Sequence, residues 1–388
     1  MTILLIALIY LAFISLGLPD GLLGAGWPVM EGELAVPLSY AGIISTVISA
    51  GTILSSLLSD RLTRKFGAGL VTAVSTALTA GALLGFALSG EFWLLCLLAV
   101  PYGLGAGAVD AALNNYVAVH YSSKYMSWLH CFWGLGATVG PYIMGWALGA
   151  GHGWRTGYGA VGILQVTMAL VLFLTLPIWK KQLAAGEAEA AGAPVGLRQA
   201  LRIPGVKSVL LAFCAYCALE SVAFLWSGSF LVEYRGMDAE AGANFASLFY
   251  VGLTLGRFLS GFIADRVRDE NMIRLGSGVM VVGLVLLMLP VGSDIPALAG
   301  LLILGLGAAP IYPSIIHATP AHFGKENSQA IVGIQMASAY TGMTLMPPVF
   351  GLVGQYVTMG AFPWFMAAFL VIMFLLLEKV NRFCSCKS

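Results

Sequence analysis

Long runs of apolar residues, separated by short polar breaks, fill almost the whole chain. Each run is close to the ~20 residues that an α-helix needs to cross a bilayer. The runs are too long for the strands of a transmembrane barrel and do not alternate as such strands do. Cutting at charged residues and at Pro/Gly-rich breaks predicts twelve transmembrane spans, numbered in chain order: 3–27, 38–58, 68–89, 92–118, 126–148, 155–178, 208–232, 241–263, 272–291, 296–318, 328–353 and 361–378. We therefore predict an all-α membrane protein.

The longest polar interruption divides these spans into two groups of six. Residues 179–207 are rich in Ala and Gly and carry charges at both ends. This pattern predicts an N-terminal six-helix bundle over residues 1–178 and a cytoplasmic linker over 179–207. Residues 208–388 are predicted to form a C-terminal six-helix bundle with a cytoplasmic tail.

The composition agrees with this interpretation. Of the 388 residues, 59% are hydrophobic and 10% charged, and the mean hydropathy is +0.90. So few charges could not cover the surface of a soluble domain, which excludes a soluble enzyme and a disordered chain. The formal net charge of +1 offers no attraction to nucleic acid. The sequence also lacks a phosphate-binding loop, a metal-spaced His/Cys set and a nucleophile elbow, so we predict no enzyme, no cofactor and no metal site.

The cations predict the orientation in the membrane. Of 19 Lys and Arg residues, 16 lie in the connections after even-numbered spans, in the C-terminal tail or, for Arg274, at the very start of the span that follows such a connection. Arg155 and Arg235 lie on the other side, and Arg257 lies inside span 8. Because cytoplasmic loops are enriched in Lys and Arg, we expect both termini to be cytoplasmic in a multi-pass protein of the inner (plasma) membrane. The apolar N-terminus is interpreted as the first span rather than a removable signal peptide.

Three landmarks recur in the two halves at nearly one offset. The pairs Asp60-Arg61 and Asp265-Arg266, which follow spans 2 and 8, are 205 residues apart. The Gly-rich segments that begin at Gly103 and Gly305 are 202 residues apart, and Gly136 and Gly342 are 206 apart. This spacing indicates two six-helix bundles related by a pseudo-two-fold axis, as in many transporters.

Three acids and one base lie well inside predicted spans: Asp20, Asp110, Glu220 and Arg257. An ionisable group in the membrane is costly and marks a functional site by default. An acid avoids that cost by binding a proton, so we assign Asp20, Asp110 and Glu220 as proton-coupling candidates. The structural alternatives are a helix-break cap for Asp20 and interhelical bonds for Asp110 and Glu220. Arg257 is expected to pair with one of these acids or to extend toward the cytoplasm, in a structural or gating role.

Polar and aromatic side chains in the spans are candidates for substrate binding. Amides, His and Tyr would bind hydroxyl groups, and Trp would stack on a ring. A hydrogen-bonded structural role is the alternative for each His. The candidates are Asn114, Asn115, His130, Trp133, Trp226, Asn244, Tyr312, His317, Gln335 and Tyr340.

The loop after span 2, Asp60-Arg61-Leu-Thr-Arg64-Lys65, resembles the loop between spans 2 and 3 of the major facilitator superfamily. Ser56 and Thr63 replace Gly at two of its positions. The second copy, Gly261-x-x-x-Asp265-Arg266, is closer to the pattern. The resemblance implies that Asp60 binds the start of span 11 and Asp265 the start of span 5, with Arg61, Arg64 and Arg266 completing these gates. The alternative is that the loops only set the topology.

A narrower resemblance is to the fucose/hexose–proton symporter group of this superfamily. Asp20 and Asp110 match its acids in spans 1 and 4, although Asp110 replaces the usual Glu or Gln, and Gly305-x-Gly-x-x-Pro310-x-x-Pro313 matches its span 10. The resemblance implies a secondary transporter, a monomer, that carries a monosaccharide or similar small-molecule substrate together with protons by alternating access.

Several alternatives stay open. Sodium is the alternative coupling ion. Gly136-x-x-x-Gly140-Pro141 resembles a span 5 motif associated with antiporters, so a proton-driven exporter of drugs or metabolites is the main rival. A lipid scrambler, sensor or receptor on the same fold is the rival from another class.

Overall fold

The structure, a computed structural model, describes residues 2–179, 195–237, 245, 247–290 and 292–385. Most of these residues are helical, and none of them lies in a strand. Within this part of the chain, nine helical stretches are long and apolar enough to cross a membrane. The other three predicted spans, 5, 8 and 11, correspond to the helices Ser123–Gly149, Leu248–Ile263 and Lys325–Tyr356. The all-α prediction is therefore confirmed.

The first six spans match helices that extend beyond the predicted bounds at several ends. Span 2, for example, continues past residue 58 through Arg61, Arg64 and Lys65. A cut at a charged residue marks the end of the apolar run, whereas the helix continues beyond it. The helices are Thr2–Gly17 and Leu22–Leu34 for span 1, Ala41–Phe66, Ala68–Leu88, Phe92–His120, Ser123–Gly149 and Gly153–Leu174.

The second six spans are more often interrupted. Span 10 is divided into three consecutive helices because Pro310, Pro313 and Pro320 lack the N–H groups that a continuous helix needs. Span 7 ends in a π-helical turn. The helices are Val206–Ser229 with Phe230–Tyr234 for span 7, Leu248–Ile263, Asp269–Met288, then Ile295–Ala308, Ile311–His317 and Thr319–Phe323 for span 10, Lys325–Tyr356 and Phe362–Ser385.

The chain folds into two compact units that each combine segments of both sequence halves. The first unit consists of Met1–Tyr116, Leu129–Leu197 and Lys325–Ala337. The second consists of Val117–Trp128, Arg198–Gly324 and Ser338–Ser388. The start of span 11 thus belongs with the first unit, and the span 4–5 connection belongs with the second. The predicted division into two bundles and a linker stays a prediction.

Small residues bring the helices into backbone contact in both units. A methyl group added at Gly136 in span 5 would overlap the carbonyl oxygen of Ile14 in span 1. In the second unit, one added at Gly342 in span 11 would lie against the carbonyl oxygen of Cys214 in span 7. Such close approach is a common basis of helix packing in membranes. The sequence repeat is therefore also a repeat of packing.

Candidate functional site

Asp20 lies at a break in span 1, as its Pro19 and Gly21 neighbours predict. The helix ends at Gly17 and resumes at Leu22. The Asp20 side chain is exposed, and its Oδ2 accepts a hydrogen bond of 2.9 Å from Nε1 of Trp133 in span 5. Proline and flanking glycines disfavour a continuous helix, so the break presents the carboxylate at the side of the span.

A buried hydrogen-bonded chain lies in spans 4 and 5 of the same unit. Nδ2 of Asn114 donates to Oδ1 of Asp110 at 2.8 Å and to the Asp110 carbonyl oxygen at 3.0 Å. Oδ1 of Asn114 lies 3.0 Å from Nε2 of His130. Because an amide oxygen only accepts, Nε2 of His130 carries the hydrogen in this bond. All three residues are buried, and Asn114 is committed to holding Asp110 and His130 in place.

The two carboxylates of the first unit interact electrostatically. Asp110 acts on Asp20, and Asp20 acts on the buried Tyr102. When both acids are ionised they repel each other, and repulsion is strong where water is scarce. Trp133 is hydrogen-bonded to Asp20, and the assignment of Asp20 and Asp110 to one site stays a prediction.

Glu220 and Arg257 form a buried ion pair in the second unit. Nη2 of Arg257 lies 3.2 Å from Oε1 of Glu220, and the two side chains are only 4% and 11% exposed. The pair joins span 7 to span 8. The structure therefore places Arg257 with an intramembrane acid, the first of the two predicted possibilities.

The remaining substrate-binding candidates are spread over several environments. Nε1 of Trp226 donates to the carbonyl oxygen of Pro347, which fixes this ring between spans 7 and 11. The Tyr312 ring packs on Phe213 and Tyr216. Asn115 accepts a hydrogen bond from Ser328 at the start of span 11. These contacts hold each side chain within its unit, and the substrate roles predicted for the three residues stay predictions.

Three other candidates complete the set. Gln335 is buried in span 11, and Tyr340, five residues later, is half-buried. Asn244 lies outside the described residues. The substrate-binding roles predicted for these three residues stay predictions.

Residues 60–65, predicted as the loop after span 2, belong to the helix Ala41–Phe66 and contact the start of span 11 through Arg64. Asp60 is buried and accepts a bond of 2.7 Å from Nε of Arg64 and one of 3.0 Å from the backbone N–H of Val195. Arg64 in turn donates from Nη2 to the carbonyl oxygen of Glu326. Asp60 was predicted to bind span 11 itself. In the structure Arg64 carries that contact, and Arg61 is exposed.

The loop after span 8 holds the start of span 5 directly. Asp265 lies 3.1 Å from Nζ of Lys124 and accepts a bond of 3.3 Å from the Lys124 backbone N–H. Partial burial would raise the pKa of Asp265, but hydrogen bonds from Ser122 and Lys124 outweigh it and hold the pKa below its usual range. The side chain and charge of Asp265 also raise the pKa of Lys124. Arg266 is exposed.

Sequence reasoning missed a second contact in this region. Asp269 accepts hydrogen bonds from Ser123 at 2.7 Å and lies 2.6 Å from Nδ1 of His317. Nε2 of His317 lies 3.1 Å from the Tyr121 carbonyl oxygen. Both ring nitrogens are thus engaged in joining spans 4, 9 and 10, and the substrate role predicted for His317 stays a prediction. The sequence repeat contained a signal for this contact. Asp269 lies 205 residues after Arg64, so it occupies the equivalent position in the second half and carries the opposite charge.

Comparison with known families agrees with this geometry. The family model described as "Major Facilitator Superfamily" matches residues 9–316 and 209–382. The chain belongs to the Major Facilitator Superfamily. Members of this family are transporters rather than enzymes.

Sequence relatives of this superfamily protein are distant. It is 24% identical over 345 residues to an uncharacterized MFS-type transporter of Yersinia pestis, covering 86% of both chains. It is 24% identical over 287 residues to Bypass of stop codon protein 6 of Saccharomyces cerevisiae, 67% of this chain and 56% of that one. It is 23% identical over 284 residues to the hexuronate transporter of Bacillus subtilis, 69% and 66% of the two chains. The chain thus spans little more than half the length of the yeast relative.

Solved structures share the superfamily fold over nearly the whole chain. The Escherichia coli fucose:proton symporter FucP has a TM-score of 0.77 at 17% identity, covering 97% of this chain and 98% of that one. The proton:xylose symporter XylE, bound to a bromodeoxyglucose, has a TM-score of 0.79 at 14% identity, covering 96% and 94%. At these identities the likeness concerns the fold.

Proposed function

We propose that this superfamily member is a secondary active transporter that carries a monosaccharide or similar small polar solute together with protons. The observation that carries the proposal is the exposed Asp20 carboxylate beside the buried Asp110–Asn114–His130 chain. The proton symporters FucP and XylE share the fold, and a relative is named for hexuronate, an acid sugar. These likenesses support a polar solute without determining which one.

In this proposal Asp20 exchanges the coupled proton with water. The bond from Trp133 holds one oxygen of Asp20, and the helix break leaves the side chain exposed at the side of the span. A proton on Asp20 removes its repulsion with Asp110. The face of the Trp133 indole, fixed by the same bond, offers a flat apolar surface on which a sugar ring can stack.

Alternating access requires the cytoplasmic loop contacts to break and re-form. The contacts of Arg64 with Glu326 and of Asp265 with Lys124 each join segments from different sequence halves. We propose that they are gates that hold one state of the transport cycle. A monomer would suffice, with protons as the coupling ion and sodium as the alternative.

The exporter alternative has less support than at the outset. It depended on Gly136-x-x-x-Gly140-Pro141, and both glycines of that motif face the backbone of span 1 at Ile14 and Leu18. Close helix packing therefore accounts for the motif without a transport direction.

The test is uptake by purified protein in liposomes under an imposed pH gradient. Asp20→Asn and Asp110→Asn should reduce gradient-driven accumulation to background, because an amide cannot exchange the coupled proton. Solute exchange without a gradient should persist in Asp20→Asn, which shows that the variant is folded. Glu91→Gln, an exposed acid remote from the site, is the matched control and should behave as wild type. Accumulation against a gradient by both Asp variants would show that the coupling proposal is wrong.

A further inference from the structure

The ring of His317, at the end of the helix Ile311–His317, has a hydrogen-bond acceptor on each side. Nδ1 lies 2.6 Å from Oδ2 of Asp269, and Nε2 lies 3.1 Å from the carbonyl oxygen of Tyr121. A carbonyl oxygen and an ionised carboxylate only accept hydrogen bonds, whereas a neutral imidazole carries a hydrogen on one nitrogen alone. Both bonds therefore form together only when the Asp269–His317 pair holds one proton more than a neutral His and an ionised Asp.

The surroundings of the pair make this extra proton important. Oδ1 of Asp269 accepts a hydrogen bond of 2.7 Å from the buried Ser123, which fixes the carboxylate in front of the ring. The side chains of His317 and Asp269 are only 19% and 14% exposed. Without the proton, a nitrogen lone pair would face an oxygen at bonding distance, with little water to replace the lost bond. Loss of the proton thus removes one of the two bonds that His317 makes.

The other charged groups near His317 have partners of their own. Asp265 also acts on His317, but its carboxylate lies 3.1 Å from Nζ of Lys124. Glu270 lies 3.4 Å from Nη2 of Arg268. Among the described residues, the ion pair of Asp269 is with His317. The titratable and charged groups around the pair are Asp265 at the end of span 8, Arg268 and Glu270 at the start of span 9, Tyr121 and Lys124 between spans 4 and 5, and His322 after span 10.

We propose that the Asp269–His317 contact is a proton-binding switch, which takes up one proton when it closes on the connection between spans 4 and 5. That connection comes from the first sequence half, and spans 9 and 10 come from the second. Imidazole is the side chain whose charge changes in the physiological pH range. Acid on this side of the membrane therefore holds the contact closed, and a rise in pH releases it.

This switch adds a pH response that the neighbouring Asp265–Lys124 contact does not have, because a carboxylate and an ammonium group keep their charges near pH 7. In the proposed function, contacts of this region break in every transport cycle. Protons that accumulate on this side would then slow the carrier that delivers them. This consequence for transport rests on the proposed function, whereas proton binding by the contact does not.

The test measures the distance between two spin labels across the contact, in the full-length protein in detergent. His120→Cys at the end of span 4 and Asn271→Cys at the start of span 9 are exposed positions for the labels, in an otherwise cysteine-free protein. Pulsed electron paramagnetic resonance is recorded at several values between pH 5.5 and 8.5. A short distance should dominate in acid, and a longer one should grow as the pH rises. The ratio of short to long should fall by up to about tenfold per pH unit, because opening releases one proton.

Variants assign the titration to the pair. His317→Gln and Asp269→Asn each replace a partner of the shared proton by an amide that does not titrate, so their distances should not change with pH. Asp269→Asn keeps an oxygen that accepts from a neutral imidazole, and it serves if His317→Gln fails to fold. His322→Gln removes a neighbouring imidazole, and His152→Gln removes an exposed one in the connection between spans 5 and 6. Both controls should titrate as wild type.

Three results would overturn the inference: wild-type distances that are the same from pH 5.5 to 8.5, a longer distance in acid than in alkali, or a wild-type titration in folded His317→Gln or Asp269→Asn. Failure of the proposed function looks different. In that case the distances still titrate and still depend on His317, whereas a pH gradient drives no uptake by the wild-type protein.

Discussion

At the scale of single residues, glycines in span 5 determine how closely Trp133 approaches Asp20. A methyl group at Gly140 would overlap the carbonyl oxygen of Leu18, next to the break that carries Asp20. Gly140→Ala should therefore force spans 1 and 5 apart and lower stability by about 1–3 kcal/mol, as overpacking does. Gly145→Ala is a matched control on the same helix, because nothing lies within 4 Å of the added methyl group.

The control should be neutral or slightly stabilising, since alanine favours helix by up to about 1 kcal/mol over glycine. The measurement is the apparent Tm of both variants in detergent. Equal Tm values for Gly140→Ala and Gly145→Ala would contradict the packing argument.

Residue types in the sequence were sufficient to single out Asp20, Asp110, Glu220 and Arg257, because a bilayer makes each charge conspicuous. Their partners were harder to predict. Asn114 looked available to substrate, yet its amide is used within its own unit by Asp110 and His130. Periodicity shows that Asp110 and Asn114 share a helix face. Which helix covers that face is a tertiary property that one sequence does not contain.

At the scale of elements, the two related segments that carry Asp60 and Asp265 make different contacts. The carboxylate of Asp60 is 5% exposed and bound by Arg64, whereas that of Asp265 is 35% exposed and bound by Lys124. Removing a buried acceptor costs on the order of 1–3 kcal/mol, and an exposed ion pair contributes about 0–1 kcal/mol. Asp60→Asn should therefore lower the apparent Tm more than Asp265→Asn. If Asp265→Asn lowered the apparent Tm more than Asp60→Asn, the difference in burial between the two carboxylates would not account for their contributions to stability.

The Asp265 contact also has a predicted pH dependence. Its pKa in the folded protein lies below the ordinary value of 3.8, because Ser122 and Lys124 stabilise the carboxylate. The contact therefore contributes its full stability above about pH 4 and loses it as the pH falls through the lowered pKa. The Tm difference between wild type and Asp265→Asn should be constant from pH 5 to 8 and shrink only in stronger acid. A difference that already vanishes near pH 6 would point to another group.

At the scale of the whole molecule, the repeat and the topology depend on different residues. Glycines at equivalent positions preserve the packing of both halves, whereas the cations outside the spans carry the orientation. Hydropathy was enough to predict the spans, and the Lys/Arg counts predict a sidedness that stays a prediction. They could not predict that the start of span 11 belongs to the first compact unit, since that grouping arises from contacts such as Arg64 with Glu326.

The orientation leads to the last prediction, which single cysteines in an otherwise cysteine-free protein can test. Glu91→Cys and His152→Cys, exposed in connections that follow odd-numbered spans, should react with a membrane-impermeant maleimide added to intact cells. Arg202→Cys and Lys325→Cys, exposed in connections after even-numbered spans, should react only once the membrane is permeabilised. The reason is the bias of 16 among 19 cations toward one side of the membrane. Labelling of Lys325→Cys in intact cells, with His152→Cys protected, would reverse the topology. The gates of Asp60 and Asp265 would then face outward, and a proton gradient would act on the opposite face of the carrier.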